Sequence, residues 1–172
     1  MPATVEVHSF HGASGSETGA SVSAVRYKQA DNDTVDANNP IPIPTSGLNY
    51  SWIKNFRLYV VSGTSPDNSI TNVKFYTDGA NGLGTGVGLN VKPATSYGGG
   101  ESPPVLQDTE MTPSGQYAFA YTSGSPLTIS GSINNPNFGY FTDWVVTQMP
   151  VAQQATQGTT PTETLTISYD ES

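Results

Sequence analysis

Ser51-Trp52-Ile53-Lys54-Asn55-Phe56-Arg57-Leu58-Tyr59-Val60-Val61-Ser62 is the stretch that decides the fold. Trp52, Phe56, Leu58 and Val60 share one parity, while Asn55, Arg57 and Tyr59 share the other. Successive side chains of a strand point to opposite faces, so this row reads as a strand with one face in a core. Lys54 interrupts the apolar row, and its expected place is near the strand's exposed end. The same period of two continues outward on both sides, at 4–10 and 21–28 before it and at 72–77, 86–92, 117–121, 127–133, 140–149 and 163–169 after it. No helical period runs for more than two turns. The core expected from these rows is Trp52, Phe56, Leu58, Val60, Val73, Phe75, Val87, Leu89, Leu165 and Ile167.

The turns between the rows are explicit. Ser65-Pro66-Asp67-Asn68 has proline where its fixed φ suits a turn. Asp78-Gly79 and Asn81-Gly82 supply residues that tolerate positive φ. About nine short strands with such spacing predict an all-β sandwich or barrel. Residues 1–172 are expected to form one domain. Two stretches do not read as strands. Asn39-Pro40-Ile41-Pro42-Ile43-Pro44 lacks three backbone donors and reads as an extended connector with Ile41 or Ile43 tucked inward, or as a polyproline-like segment for a partner. Residues 93–115 form a long Gly/Pro-rich insertion containing Tyr97, Val105, Leu106 and Met111. The stretch reads as a flexible excursion or as an arm ordered by a neighbouring subunit; its apolar residues favour the arm, the alternative being that they fold back on their own sandwich.

Composition narrows the function classes. The chain carries 14 acidic and 6 basic residues, a net charge of −8, with no basic cluster. Nucleic acid and anionic membranes would be repelled, so neither is an expected partner. Cysteine is absent, Met1–Phe10 lacks a basic region followed by an apolar stretch, so no signal peptide is expected, and no apolar run reaches transmembrane length. Catalysis fails on inventory. His8 and His11 are the only histidines, no Gly-x-Ser-x-Gly elbow is present, and the expected role of both is as free surface residues. Gly98-Gly99-Gly100 lacks the Lys-Ser/Thr and the helix of a phosphate loop. Fourteen acids permit a glycosidase pair arithmetically, but no two are nominated by spacing.

Three further features carry chemistry. Asp31, Asp33 and Asp36 concentrate carboxylates in one loop and form a weak calcium candidate set. Val35 and Asp36 stand where an EF-hand loop needs an acid and a glycine, so the plainer expectation is a solvated acidic loop and no metal. Trp52 is expected in the core. Tyr140 and Trp144 are candidates for stacking on a sugar ring. No cofactor is expected.

The last quarter, with Val145-Val146-Thr147-Gln148-Met149-Pro150-Val151, then Ala155-Thr156-Gln157-Gly158, then Leu165-Thr166-Ile167-Ser168-Tyr169-Asp170-Glu171, resembles the penultimate strand, crossover and final strand of immunoglobulin-like sandwiches. The whole chain resembles a group of uncharacterised virion proteins of tailed bacteriophages. The similar features are Val25-Arg26-Tyr27-Lys28-Gln29-Ala30-Asp31-Asn32-Asp33, Tyr50-Ser51-Trp52-Ile53-Lys54, Pro66-Asp67-Asn68-Ser69-Ile70-Thr71-Asn72 with Phe75 beyond, and Tyr169-Asp170-Glu171. The fold expected is an antiparallel β-sandwich, immunoglobulin-like or jelly-roll-like, with one long loop insertion. The resemblance implies a structural protein made in the host cytoplasm and carried in the virion, a head or neck decoration or cement protein docking on other virion proteins and on copies of itself. The competing expectation is a carbohydrate- or receptor-binding module of a tail fibre, which would require Tyr140, Trp144 and neighbouring tyrosines to form an exposed platform.

Overall fold

A computed structural model describes residues 2–35, 37–98 and 117–172. Twelve strands carry the described chain: β1 (Val5–His11), β2 (Thr18–Ser21), β3 (Leu48–Tyr50), β4 (Lys54–Val60), β5 (Ser69–Tyr76), β6 (Asn90–Ala94), β7 (Leu127–Thr128), β8 (Ile133–Asn134), β9 (Gly139–Tyr140), β10 (Trp144–Gln148), β11 (Pro150–Ala152) and β12 (Thr166–Glu171). One sheet runs β2-β1-β4-β10-β6. Both β9 and β10 lie along the same edge of β4: Tyr140 and Gly139 pair with Tyr59 and Val60, while Val145 and Thr147 pair with Phe56 and Lys54. The second sheet runs β12-β5-β7 with β8 also on β5, and β11-β3 forms a separate ribbon. All these pairings are antiparallel.

The β4 alternation builds the core. Phe56, Leu58 and Val60, joined by Val145 and Val91 from the same sheet, meet Ile70, Val73 and Phe75 from β5 with Ile129 and Ile133 beside them. Each such side chain contributes about 1.5–3 kcal/mol on burial, which is what holds two sheets face to face. The antiparallel all-β sandwich expected from the period is the observed architecture.

Several expectations shift. Val87, Leu165 and Ile167 are only partly buried, although they pack on the core. Trp52 precedes β4 and is half-buried, not a core residue; Ile53 is buried instead. Of residues 21–28 only Ser21 lies in a strand, and 117–121 contains a short 3-10 turn, Ala118–Ala120. Alternation assigns a side chain to a face, but a ladder also needs a partner strand, which 22–28 lacks. Pro93 and Ala94 belong to β6, opposite Val145 and Trp144, so the expected insertion begins two residues later. As an edge strand β6 tolerates proline's missing donor. Ile41 packs on the core while Ile43 is exposed, as an extended connector requires. Asp36, Val105, Leu106 and Met111 lie outside the described residues.

Candidate functional site

Strand β1 carries both histidines, and its pleat sends them to opposite faces. Ser9 and His11 share the core-side parity of β1, as Lys54 shares the core-side parity of Phe56 on β4. Lys54 is fully buried, which corrects its expected place at an exposed end. The loop at 31–34 makes that burial possible. Lys54 Nζ donates to the Asn32 carbonyl at 2.8 Å and lies 3.5 Å from Asp33. Lys28, also buried, donates to the Thr34 carbonyl at 2.6 Å. His11 is clamped between two carboxylates, its Nδ1 3.1 Å from Asp31 and its Nε2 3.0 Å from Asp33. Asp31 also accepts from the Gly12 amide at 2.7 Å.

Two carboxylates on two ring nitrogens favour the imidazolium. The hydrogen bonds to Asp31 and Asp33 raise the His11 pKa to about 9 against the opposing effect of burial. Burial alone would push Asp33 up, but the His11 hydrogen bond, the Lys54 charge, Ser9 and the Arg26 amide hold it well below the usual carboxylate range. Lys54 is depressed by burial, with Asp33 and Asp31 opposing. The loop is therefore neither a solvated acidic turn nor an open oxygen cage. Its carboxylates and carbonyls are filled by the protein's own cations, and among the described residues no group of His, Asp and Glu is arranged to hold a metal ion. His11 is likewise not a free surface residue. Ser9 Oγ lies 3.5 Å from His11 Nε2, but Ser9 is buried and that nitrogen already faces Asp33, so the trio offers no reachable nucleophile.

The outer face of the same sheet is a grid set by register. Glu6 pairs with Tyr59, which pairs with Tyr140; one step along, His8 pairs with Arg57. Tyr59 and Tyr140 have ring centroids 4.7 Å apart, and His8 stacks on Tyr59 at 4.7 Å. His8 Nε2 lies 3.0 Å from Glu6 and its Nδ1 2.7 Å from the Tyr140 hydroxyl, so Glu6, His8 and Tyr140 form one hydrogen-bonded row. Arg57 donates from Nε to the Thr142 carbonyl at 2.7 Å and lies over the rings of Trp144 and Tyr140, 5.1 and 5.5 Å from their centroids. Gly19 of β2, opposite Phe10, is required here: a Cβ would meet the Phe10 ring at 2.6 Å and the Tyr140 hydroxyl at 2.9 Å.

The two sugar-stacking candidates separate on this face. Tyr140 is 38% exposed, whereas Trp144 is 7% exposed and packs into a small second core with Phe10, Ile53 and Val146. Trp144 is thus the floor of the grid and not part of an exposed platform. Tyr97 also belongs to that floor: its ring meets Trp144 at 5.1 Å and its hydroxyl donates to the Gly12 carbonyl at 2.9 Å. The Tyr97 side chain, expected at an interface, is half-buried and packs back on its own sandwich. Sequence reasoning missed Glu6, His8, Arg57 and Tyr59, although the outward parity of Arg57 and Tyr59 was readable. A shallow polar groove of about 430 Å³ beside β6 is lined, among the described residues, by Lys92, Thr95, Ser96, Thr128, Ser130 and one carboxylate, Asp143. No family model, curated protein or solved structure matches the chain.

Proposed function

We propose that the chain is a non-catalytic virion structural protein of a tailed phage, docking on a head or neck lattice beside copies of itself and other virion proteins. The observation that carries this reading is where the segments resembling phage virion proteins lie. The stretches 25–33 and 50–54 meet at the buried lysines, through Lys54 on Asn32 and the Trp52 amide on the Lys28 carbonyl. The stretches 66–72 and 169–171 meet at the other end, where Asn72 donates to Asp170 and the Asp67 and Ala3 amides both donate to Glu171. These polar residues hold loops and both chain ends in fixed positions. Among the described residues the one buried side-chain polar atom without a partner is Gln148 Oε1. A surface fixed in this way suits repeated docking on a symmetric lattice.

Antibody against the recombinant protein, applied to gradient-purified particles of the encoding phage, tests the proposal. Regular labelling of heads or necks, with the chain detected by mass spectrometry at a fixed copy number, is the expected result. A chain that stays in the cell lysate and is absent from particles contradicts it.

A further inference from the structure

We propose that the outer face of the β1-β4-β9 ladder binds a neutral glycan through Tyr59, Tyr140, Glu6 and Arg57, a role separate from lattice docking. The face has the three parts that recognition of a pyranose requires. Tyr140, more than a third exposed, supplies aromatic surface, and Tyr59, whose ring is stacked on His8, packs beside it at ladder spacing. Glu6, whose side chain is 39% exposed, supplies a carboxylate that can accept from a pair of vicinal hydroxyls. Arg57 supplies a donor fork: its Nε is fixed by the Thr142 carbonyl, and its terminal nitrogens make no hydrogen bond to another described residue.

The parts are held before any ligand arrives. His8 ties Glu6 to the Tyr140 hydroxyl, Phe10 packs on the Tyr140 ring and is itself backed by Trp144, and Gly19 leaves room for Tyr140 where any larger residue would displace it. A preformed face loses little entropy on binding, which matters for a ligand with few apolar contacts. Charge selects the class of glycan. Glu6 stands on this patch one step along the ladder from the His8–Arg57 pair, the Asp143 charge acts on the guanidinium, and the chain's net charge is −8, so a sugar acid is disfavoured relative to a neutral one.

The test uses the whole protein on an array of neutral and acidic oligosaccharides, followed by titration of the best neutral binder with Trp fluorescence as the readout. Binding of neutral chains is expected, weakened about tenfold or more in Tyr140→Ala, Glu6→Gln and Arg57→Gln, because each removes a stacking surface or a charge-assisted bond. His11→Gln, on the opposite side of the sheet, should leave affinity unchanged. Melting curves of the three variants within a few degrees of the parent separate lost binding from lost folding, and Tyr59→Phe serves as a milder variant that keeps the ring. The proposal is overturned if no neutral oligosaccharide binds at about 1 mM, if acidic ones are preferred, if the Tyr140 and Glu6 variants bind as well as the parent, or if Tyr140→Ala abolishes self-association, which would make the face an interface between copies. Particle incorporation is read separately, so either role can fail alone.

Discussion

His8 and His11 sit three residues apart on one strand and have opposite fates. His11 falls on the side that meets the 31–34 loop, where two carboxylates clamp its ring and two buried lysines donate to the loop's carbonyls. His8 falls on the outer side, stacked on Tyr59, edge-on to Tyr140 and tied to the half-buried Glu6. The contrast shows how one pleat converts the same residue type into a staple on one face and into a positioning group on the other. On the inner side the polar groups satisfy each other and leave nothing for a ligand. On the outer side Glu6, Arg57 and Tyr140 each keep capacity beyond their internal contacts.

The largest expected effect breaks the inner side. Asp33→Ala removes the carboxylate that faces both His11 and the buried Lys54, and should cost about 3–5 kcal/mol, roughly 10 °C in melting midpoint. Adding Lys54→Met removes the stranded charge, so the double variant should recover much of that loss. Thermal denaturation of both singles and the double checks the coupling; additive losses would mean that the two groups do not interact. Next in size is Gly19→Val, which strikes the outer side. Its side chain must displace Phe10 and Tyr140, at about 1–3 kcal/mol by the usual cost of overpacking. Circular dichroism in the near ultraviolet should lose aromatic signal while the far-ultraviolet strand signal stays.

How much of this contrast was legible in the sequence differs between the two sides. The rows Phe56-Leu58-Val60 and Val73-Phe75 announce a strand face that packs, and they pack as read. The inner staple was not legible, because a lysine within an apolar row gives no sign of whether it ends the row or is buried with a counter-charge. The signal available was the acidic run 31–33, some twenty residues before Lys54, but pairing them needs the crossover that brings the loop over β4. The outer grid was half legible: Arg57 and Tyr59 were outward by parity. Their neighbours Glu6 and Tyr140 come from strands whose registers depend on tertiary packing, not on local pattern. Trp144 was misplaced for the same reason, since both faces of β10 are buried.

Smaller effects sharpen the comparison. The folded-state pKa of His11, about 9, exceeds its ordinary value near 6.5. Its contribution to stability is therefore complete below pH 6.5 and is lost as pH rises toward 9. For a partly exposed ion pair that loss should be about 1–2 kcal/mol. Asp33 is depressed, so its contribution is lost as pH falls below about 4. Denaturant melts should show a plateau between these limits, and His11→Gln should remove the alkaline slope and also reduce the acid one, because the His11 hydrogen bond is a main cause of the Asp33 depression. Smallest is Tyr140→Ala, expected to cost about 1 kcal/mol because the ring is partly exposed and its neighbours keep their own supports. A loss several times larger would make Tyr140 a structural residue of the sheet rather than part of a binding face.

The most direct test of the contrast is an imidazole nitrogen NMR titration of the intact chain, with His8→Gln and His11→Gln variants to assign the two rings. His11 should keep both ring nitrogens protonated through neutral pH and lose a proton only near pH 9. A His11 ring that titrates near 6.5, or that holds a single neutral tautomer at pH 7, would contradict the closed charge cluster on which the inner side of the sheet depends.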